Sequence, residues 1–283
     1  MELRRRFIFR GNASAIGGRI VRPTDIIVDS NPASSLTVAG GRSVARAKAT
    51  RFGEWVSFGA ATTSAEGLFD DVKQQIEFTF GRVPEDALTT STRVSADVTS
   101  LSIGDKPKLT IKHLNASLNS KSPTGSGEPS IAVGNDTTIE GAAIGGRGLI
   151  IDLAIPLFQR YDTRSKLLMA ADDPQVVKRS GKSLFMTSGL DRAAALITGR
   201  LVQSYGTTYA TIVKSIKWAG EPYPGAKIDH NVVIVPDFGK IFFGEILITD
   251  LSRRLTMLRL ELGSPIGGAL CSAEVENNGS WSN

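Results

Sequence analysis

Apolar and polar residues alternate along most of this chain, whereas apolar residues at helical spacing are scarce. Alternation with a period of two residues is the pattern of a β-strand that buries one face. Paired glycines such as Gly17-Gly18 and Gly145-Gly146 separate the alternating segments and favour turns or bulges. The sequence therefore predicts an all-β protein, an antiparallel β-sandwich or flattened barrel, with one to three short helices.

Three segments favour those helices, namely residues 66–76, 156–161 and 190–202. The third contains three consecutive alanines, and alanine is the strongest helix former. The second is a short turn.

The clearest predicted element is a hairpin near the C-terminus. Apolar residues are frequent in 240–249 and 252–261, and Asp250-Leu251 can form a two-residue turn between them. That register places Lys240 opposite Glu261, a favourable cross-strand charge pair with a structural role. Because both faces of these strands carry apolar side chains, we expect the pair to be central in its sheet and covered on both sides.

A second predicted hairpin has long arms, 90–103 and 108–119, which are rich in serine and threonine. The apolar face of the first arm is interrupted at Ser100. On the second arm the apolar positions change parity between Ile111 and Leu114, which indicates a bulge. A hairpin with such long arms could insert into a membrane, but the interrupted apolar face favours a hairpin within a soluble sandwich.

The most linker-like stretch of the chain is 123–129, which is rich in serine, glycine and proline. We expect it to separate an N-terminal β-rich part, 1–122, from a C-terminal β-rich part, 130–283. A single domain with an exposed loop at this place is the alternative.

The net charge of +5 favours anionic partners. On a strand, Arg42, Arg46 and Lys48 share one face, which could bind the phosphates of a nucleic acid or another polyanion. No aromatic residue lies between them on that face to stack on bases. The alternative interpretation is a solvated face, or an edge strand that its charges protect against aggregation.

Glu245 is the weak candidate for a catalytic residue. In the predicted register it lies opposite Thr256 and diagonal to Arg254. A carboxylate in an apolar wall can serve as an acid or base. We prefer a structural pair between Glu245 and Arg254, since buried charges are normally paired.

Few residues are available for a metal or a cofactor. The single cysteine, Cys271, excludes an internal disulfide and a multi-cysteine zinc site, and there are only two histidines. Gly181-Lys182-Ser183 resembles the end of a phosphate loop, but Val176 stands where its first glycine is required. We therefore expect no metal, no cofactor, and a structural role for Cys271.

The apolar stretch after the N-terminal arginines is too short for a secretory signal, which predicts a cytoplasmic protein. The favoured function is a non-enzymatic interaction or assembly protein that self-associates into a homo-oligomer. One alternative is an enzyme that uses Glu245 and Arg254 in a carboxylate-centred pocket. The other is a protein that inserts residues 90–119 into a membrane.

Overall fold

The computed structural model describes residues 7–69, 89–123, 128–172 and 208–281. These residues form two antiparallel sheets and two short helices, so the prediction of an all-β sandwich is confirmed. One apolar core lies between the inner faces of the two sheets. It contains, for example, Val98 and Leu114 from one sheet and Leu258 and Val275 from the other.

The first sheet has nine strands in the described part of the chain. They are β1 (Phe7–Arg22), β2 (Ile26–Val28), β3 (Ala33–Ser35), β14 (Thr208–Thr211), β16 (Lys227–Asp229), β17 (Val232–Val235), β18 (Gly239–Ile248), β19 (Ser252–Leu262) and β20 (Gly267–Trp281). Their order is β16-β17-β18-β19-β20-β1-β2, with β14 paired to β18 and β3 paired to β1. The first strand of the described chain therefore pairs with the last.

The second sheet has eleven strands among the described residues. They are β4 (Gly41–Ala47), β5 (Thr50–Phe52), β6 (Val56–Phe58), β7 (Ala60–Phe69), β8 (Thr89–Gly104), β9 (Lys108–Pro123), β10 (Ser130–Val133), β11 (Thr138–Glu140), β12 (Ala143–Ile144), β13 (Arg147–Leu153) and β15 (Val213–Trp218). The main path is β15-β13-β12-β9-β8-β6-β5. In addition β10 and β11 pair with β9, and β7 pairs with both β8 and β4.

The helices are α1 (Ile155–Arg160) and α2 (Arg164–Asp172). The first confirms the helix predicted at 156–161, and a proline occupies its first turn, where the missing N–H costs nothing. The helix predicted at 66–76 is wrong for 66–69, which belong to β7 and pair with β8. Residues 70–76 and the helix predicted at 190–202 lie outside the described residues.

The predicted C-terminal hairpin is present as β18 and β19. The register places Lys240 opposite Glu261, and the Thr249 N–H donates to the Ser252 carbonyl across the predicted two-residue turn. The pair is central in its sheet, because β17 and β14 flank one side and β20 the other.

The prediction that both faces of this hairpin are covered is wrong. Ile241 and Phe243 point into the core, and so do Ile246 and Ile248, which alternation alone would place on the opposite face. The reason is Gly244, whose φ of +59° reverses the side-chain alternation at that point. The strands therefore have one apolar face and one largely polar face.

The long hairpin is also confirmed, as β8 and β9, with Gly104 opposite Lys108. Here the alternation reverses at Ser100, whose φ is +53°. Val98 and Leu101 are consequently both buried, although they stand on opposite parities. The parity change that the sequence shows between Ile111 and Leu114 is the matching reversal on β9.

Both sheets combine strands from either side of residues 123–129. Besides the pairing of β1 with β20, β9 pairs with β10, β11 and β12. The division of the chain into two parts at this place stays a prediction. Within the described ranges, neither helix has the length and apolar character needed to cross a bilayer.

Candidate functional site

The outer face of the first sheet carries a network of charged side chains around Arg259. Its Nε donates to Oε2 of Glu245 at 2.5 Å, and one terminal nitrogen donates to Oε1 of the same carboxylate at 3.0 Å. The other terminal nitrogen donates to Glu261 at 2.6 Å. Burial alone would lower the pKa of Arg259, but the bonds and charges of the two carboxylates outweigh it and raise that pKa.

Glu245 is thus paired, but not with the predicted residue. Arg254 donates instead to Glu276 on β20 at 3.1 Å. Glu245 and Arg254 are diagonal in the register, as predicted, but their side chains bind other partners. Arg259 reaches Glu245 because Gly244 turns the carboxylate onto the same face as Phe242, the cross-strand neighbour of Arg259.

The other predicted charge pair of this hairpin is present. Lys240 and Glu261 face each other, with 3.7 Å between Nζ and a carboxylate oxygen, and both side chains are about half exposed. A pair this exposed contributes little to stability.

A shallow cavity of about 240 Å³ lies beside this network, between β20, β1 and β3. Glu274 and Glu276 line one side, and the other side presents small polar groups from residues 12–14, 30 and 33–35. Each carboxylate already has a partner on β19, since Thr256 donates to Glu274 at 2.8 Å and Arg254 donates to Glu276. The cavity can therefore offer hydroxyl and carboxylate groups to a small polar molecule, although the carboxylates are partly occupied.

Cys271 lies next to the same network, opposite Arg259 on β20, and it is partly buried. Burial, followed by the nearby charge of Glu274, raises the pKa of its thiol to about 11. A thiol with this pKa is protonated near neutral pH and is a poor nucleophile.

The predicted basic residues lie on the second sheet. Arg42 and Arg46 are exposed on β4, opposite Glu66 and Thr62 of β7, and Lys48 is exposed just beyond the end of the strand. None of the three basic residues forms an ion pair within the described residues. In the part of the chain that the structure describes, β4 pairs with β7 alone, so it is an edge strand.

Sequence reasoning missed a polar cluster on the outer face of β8 and β9. Oδ2 of Asp97 lies 2.6 Å from Nε2 of His113 and accepts a hydrogen bond from Asn115 at 3.1 Å. The signal was available, because pairing Gly104 with Lys108 places Asp97 opposite Asn115 and diagonal to His113. Among the described residues, no group of three or more histidine, cysteine or acidic side chains is arranged to hold a metal ion.

Arg253 was also missed. It is 1% exposed on the inner face of β19, and one terminal nitrogen donates to the Tyr161 carbonyl at 2.9 Å. Burial lowers the pKa of its guanidinium to about 10, against the opposing effect of the Asp162 and Glu128 charges.

Comparisons with known proteins identify the family of this chain. The glutamine-hydrolyzing GMP synthase of Phenylobacterium zucineum (strain HLK1) is 32% identical over 98 residues, which are 35% of this chain and 19% of that protein. No solved structure is detectably similar. A family model described as a domain of unknown function, DUF8256, matches residues 7–249, which is most of the chain. This chain therefore belongs to the DUF8256 family.

Proposed function

We propose that this chain is a non-enzymatic interaction and assembly protein, and that the free edge of β4 is one of its contact surfaces. The observation that carries the proposal is the state of that strand. It is seven residues long, it pairs on one side only within the described residues, and its outward side chains include Arg42 and Arg46.

A free strand edge presents a row of unpaired N–H and C=O groups, which is a ready template for another strand. Proteins use this arrangement to bind extended peptides by adding a strand to a sheet. The two arginines on β4 do not prevent the addition of a strand. They restrict it to partners whose charge is negative.

Exposed apolar side chains near β2 support self-association. Val21 and Ile27 are 47% and 65% exposed where β2 ends the first sheet. Ile27 lies opposite Arg19 in the register, two residues before Val21, and Arg19 pairs with Asp25 at the same place. Exposed apolar side chains at a sheet margin favour contact between copies.

We propose the cytoplasm as the setting of this function. A single thiol such as Cys271, which is partly buried and has no disulfide partner, suits a reducing compartment. The positive net charge suits a compartment that is rich in anionic macromolecules.

The two alternatives have less support. An enzyme that uses Glu245 as acid or base would need a free carboxylate oxygen, and both oxygens of Glu245 accept hydrogen bonds from Arg259. A membrane-inserting hairpin at 90–119 would have to leave its sheet, and β8 and β9 have neighbouring strands on both sides.

Light scattering of the purified protein tests the proposal across a concentration series, at low and at high salt. We expect a discrete mass that is a multiple of 30.2 kDa. Absorbance at 260 nm that is lost at high salt would identify a nucleic acid as the anionic partner. A monomer at every concentration would contradict the assembly part.

A further inference from the structure

The free edge of β4 carries a charge pattern that selects its partner. Arg42 and Arg46 are four residues apart on a strand, so both lie on its outer face, with Val44 between them. All three are exposed, Val44 to 39%. The nearest opposite charge in the register is Glu66, which lies opposite Arg42 on β7, the strand that pairs with the other edge of β4.

This pattern disfavours a second copy of the same strand. An antiparallel pair of β4 strands centred on Val44 would place Arg42 of each copy opposite Arg46 of the other. Like charges directly opposite each other destabilise a strand pair. The two arginines therefore work against homotypic extension of the second sheet, which is a common way to keep a free edge from aggregating.

We infer that the edge of β4 instead binds an extended acidic segment of another protein, which adds to the second sheet as an antiparallel strand. The segment has acidic residues at positions 1 and 5, opposite the two arginines, and an apolar residue at position 3, opposite Val44. Its backbone pairs with the free edge, and its side chains supply the complementary charge. This inference rests on the proposed interaction role and adds the chemistry of the partner.

The charges also set the salt dependence of binding. Exposed ion pairs are screened over a Debye length of about 10 Å at 0.1 M salt, so affinity falls as salt is raised. Backbone pairing is not screened in this way. Blocking the backbone amides of a bound peptide therefore weakens its binding if it pairs as a strand, but not if it is held by charge alone.

The test uses the whole protein and a labelled peptide, TDTVTDT, with blocked ends. Residues 2, 4 and 6 of this peptide correspond to positions 1, 3 and 5 of the segment. Binding is measured by fluorescence anisotropy at 50 mM salt. A peptide of equal composition, TTDVDTT, places its acidic residues two positions apart and is the first control. Two further peptides carry N-methyl groups on alternate backbone amides, one set on the odd and one on the even residues. One set points towards β4 and the other away from it.

We expect TDTVTDT to bind more tightly than TTDVDTT, and we expect only one of the two N-methylated peptides to lose binding. The variant Arg42→Glu/Arg46→Glu should weaken binding by on the order of tenfold. Lys214→Glu/Lys217→Glu makes the same change of net charge on β15, at the other end of the second sheet, and should leave binding within about twofold. Circular dichroism confirms that both variants are folded.

Three results would overturn the inference. They are no binding of TDTVTDT up to millimolar concentration, equal binding of both N-methylated peptides, and equal losses in the two charge-reversed variants. The second would identify a surface for polyanions that involves no strand pairing. None of them bears on the native mass of the protein without peptide, so failure here is distinct from failure of self-association.

Discussion

The guanidinium group of Arg259 covers the ring of Phe242, with 3.6 Å between its central carbon and the ring centroid. Phe242 is on the outer face of the first sheet, yet it is only 4% exposed. The cation is held over the ring by its bonds to Glu245. One arginine thus shields an apolar side chain and neutralises a carboxylate, which explains why a large aromatic residue is tolerated outside the core.

Replacing Glu245 with glutamine should lower the free energy of unfolding by about 1–3 kcal/mol, since it removes a charge-assisted two-point contact and leaves Arg259 partly unpaired. Urea denaturation at neutral pH measures the change. Glu221→Gln is the matched control, because Glu221 pairs with Arg147 at 3.4 Å but its side chain is 89% exposed. That change should cost less than about 0.5 kcal/mol. Equal effects of the two substitutions would contradict the structural role of Glu245.

Gly244→Ala should destabilise the protein more than Gly146→Ala. Both glycines have a positive φ, +59° and +79°, which costs a residue with a Cβ about 1–2 kcal/mol. At Gly244 the new Cβ would also lie 2.8 Å from Cγ1 of Ile212, whereas no atom of the described residues lies within 4 Å of it at Gly146. Thermal unfolding of the two variants separates backbone strain from the clash. A smaller loss at Gly244 would mean that the reversal of the strand does not need glycine.

Gly244 shows what sequence alternation can and cannot predict. The register of β18 and β19 follows from a two-residue turn alone, and the structure has that register. The faces do not follow, because one left-handed residue in mid-strand moves every later side chain to the other side. Ser100 has the same effect in β8, and a serine gives no sequence signal for a positive φ.

Contacts between distant parts of the chain were also beyond sequence reasoning. Phe7 pairs with Trp281, and no local pattern connects the first strand to the last. The pairing of Arg254 with Glu276 depends on that same assembly, since β20 must lie between β19 and β1. By contrast, the charged character of β4 was readable from its residues, and only its position at the edge of the sheet required the structure.

The thiol of Cys271 should react slowly with iodoacetamide at pH 8, and faster as the pH approaches 11. Its pKa is raised from 9.0 to about 11 in the folded state, so the fold favours the protonated form. This contribution to stability is fully present below about pH 9 and is lost as the pH rises towards 11.

Since this is the single cysteine of the chain, mass spectrometry gives the rate of its reaction with iodoacetamide directly. The same protein in urea should react much faster at pH 8, and Glu274→Gln should lower the folded pKa. Equal rates in the native and unfolded protein would contradict the burial of this group.

Ile27→Glu should shift the native mass towards the monomer, because it replaces one of the two exposed apolar side chains to which we assign self-association with a charged one. Light scattering at matched concentrations measures the shift. Ile150→Glu is the control, since Ile150 is 51% exposed on β13 of the other sheet. It should leave the mass unchanged. Unchanged mass in Ile27→Glu would move the contact between copies to another surface.

The most direct test of the central claim is amide hydrogen exchange resolved along β4 and β7. A free strand edge leaves about half of the β4 amides without a carbonyl acceptor, so we expect alternate residues of 41–47 to exchange rapidly. The amides of β7 lie between two strands and should exchange slowly. Adding the acidic peptide should slow the rapid set. Uniform slow exchange across 41–47 in the protein alone would show that the edge is already covered, and would contradict its role as a contact surface.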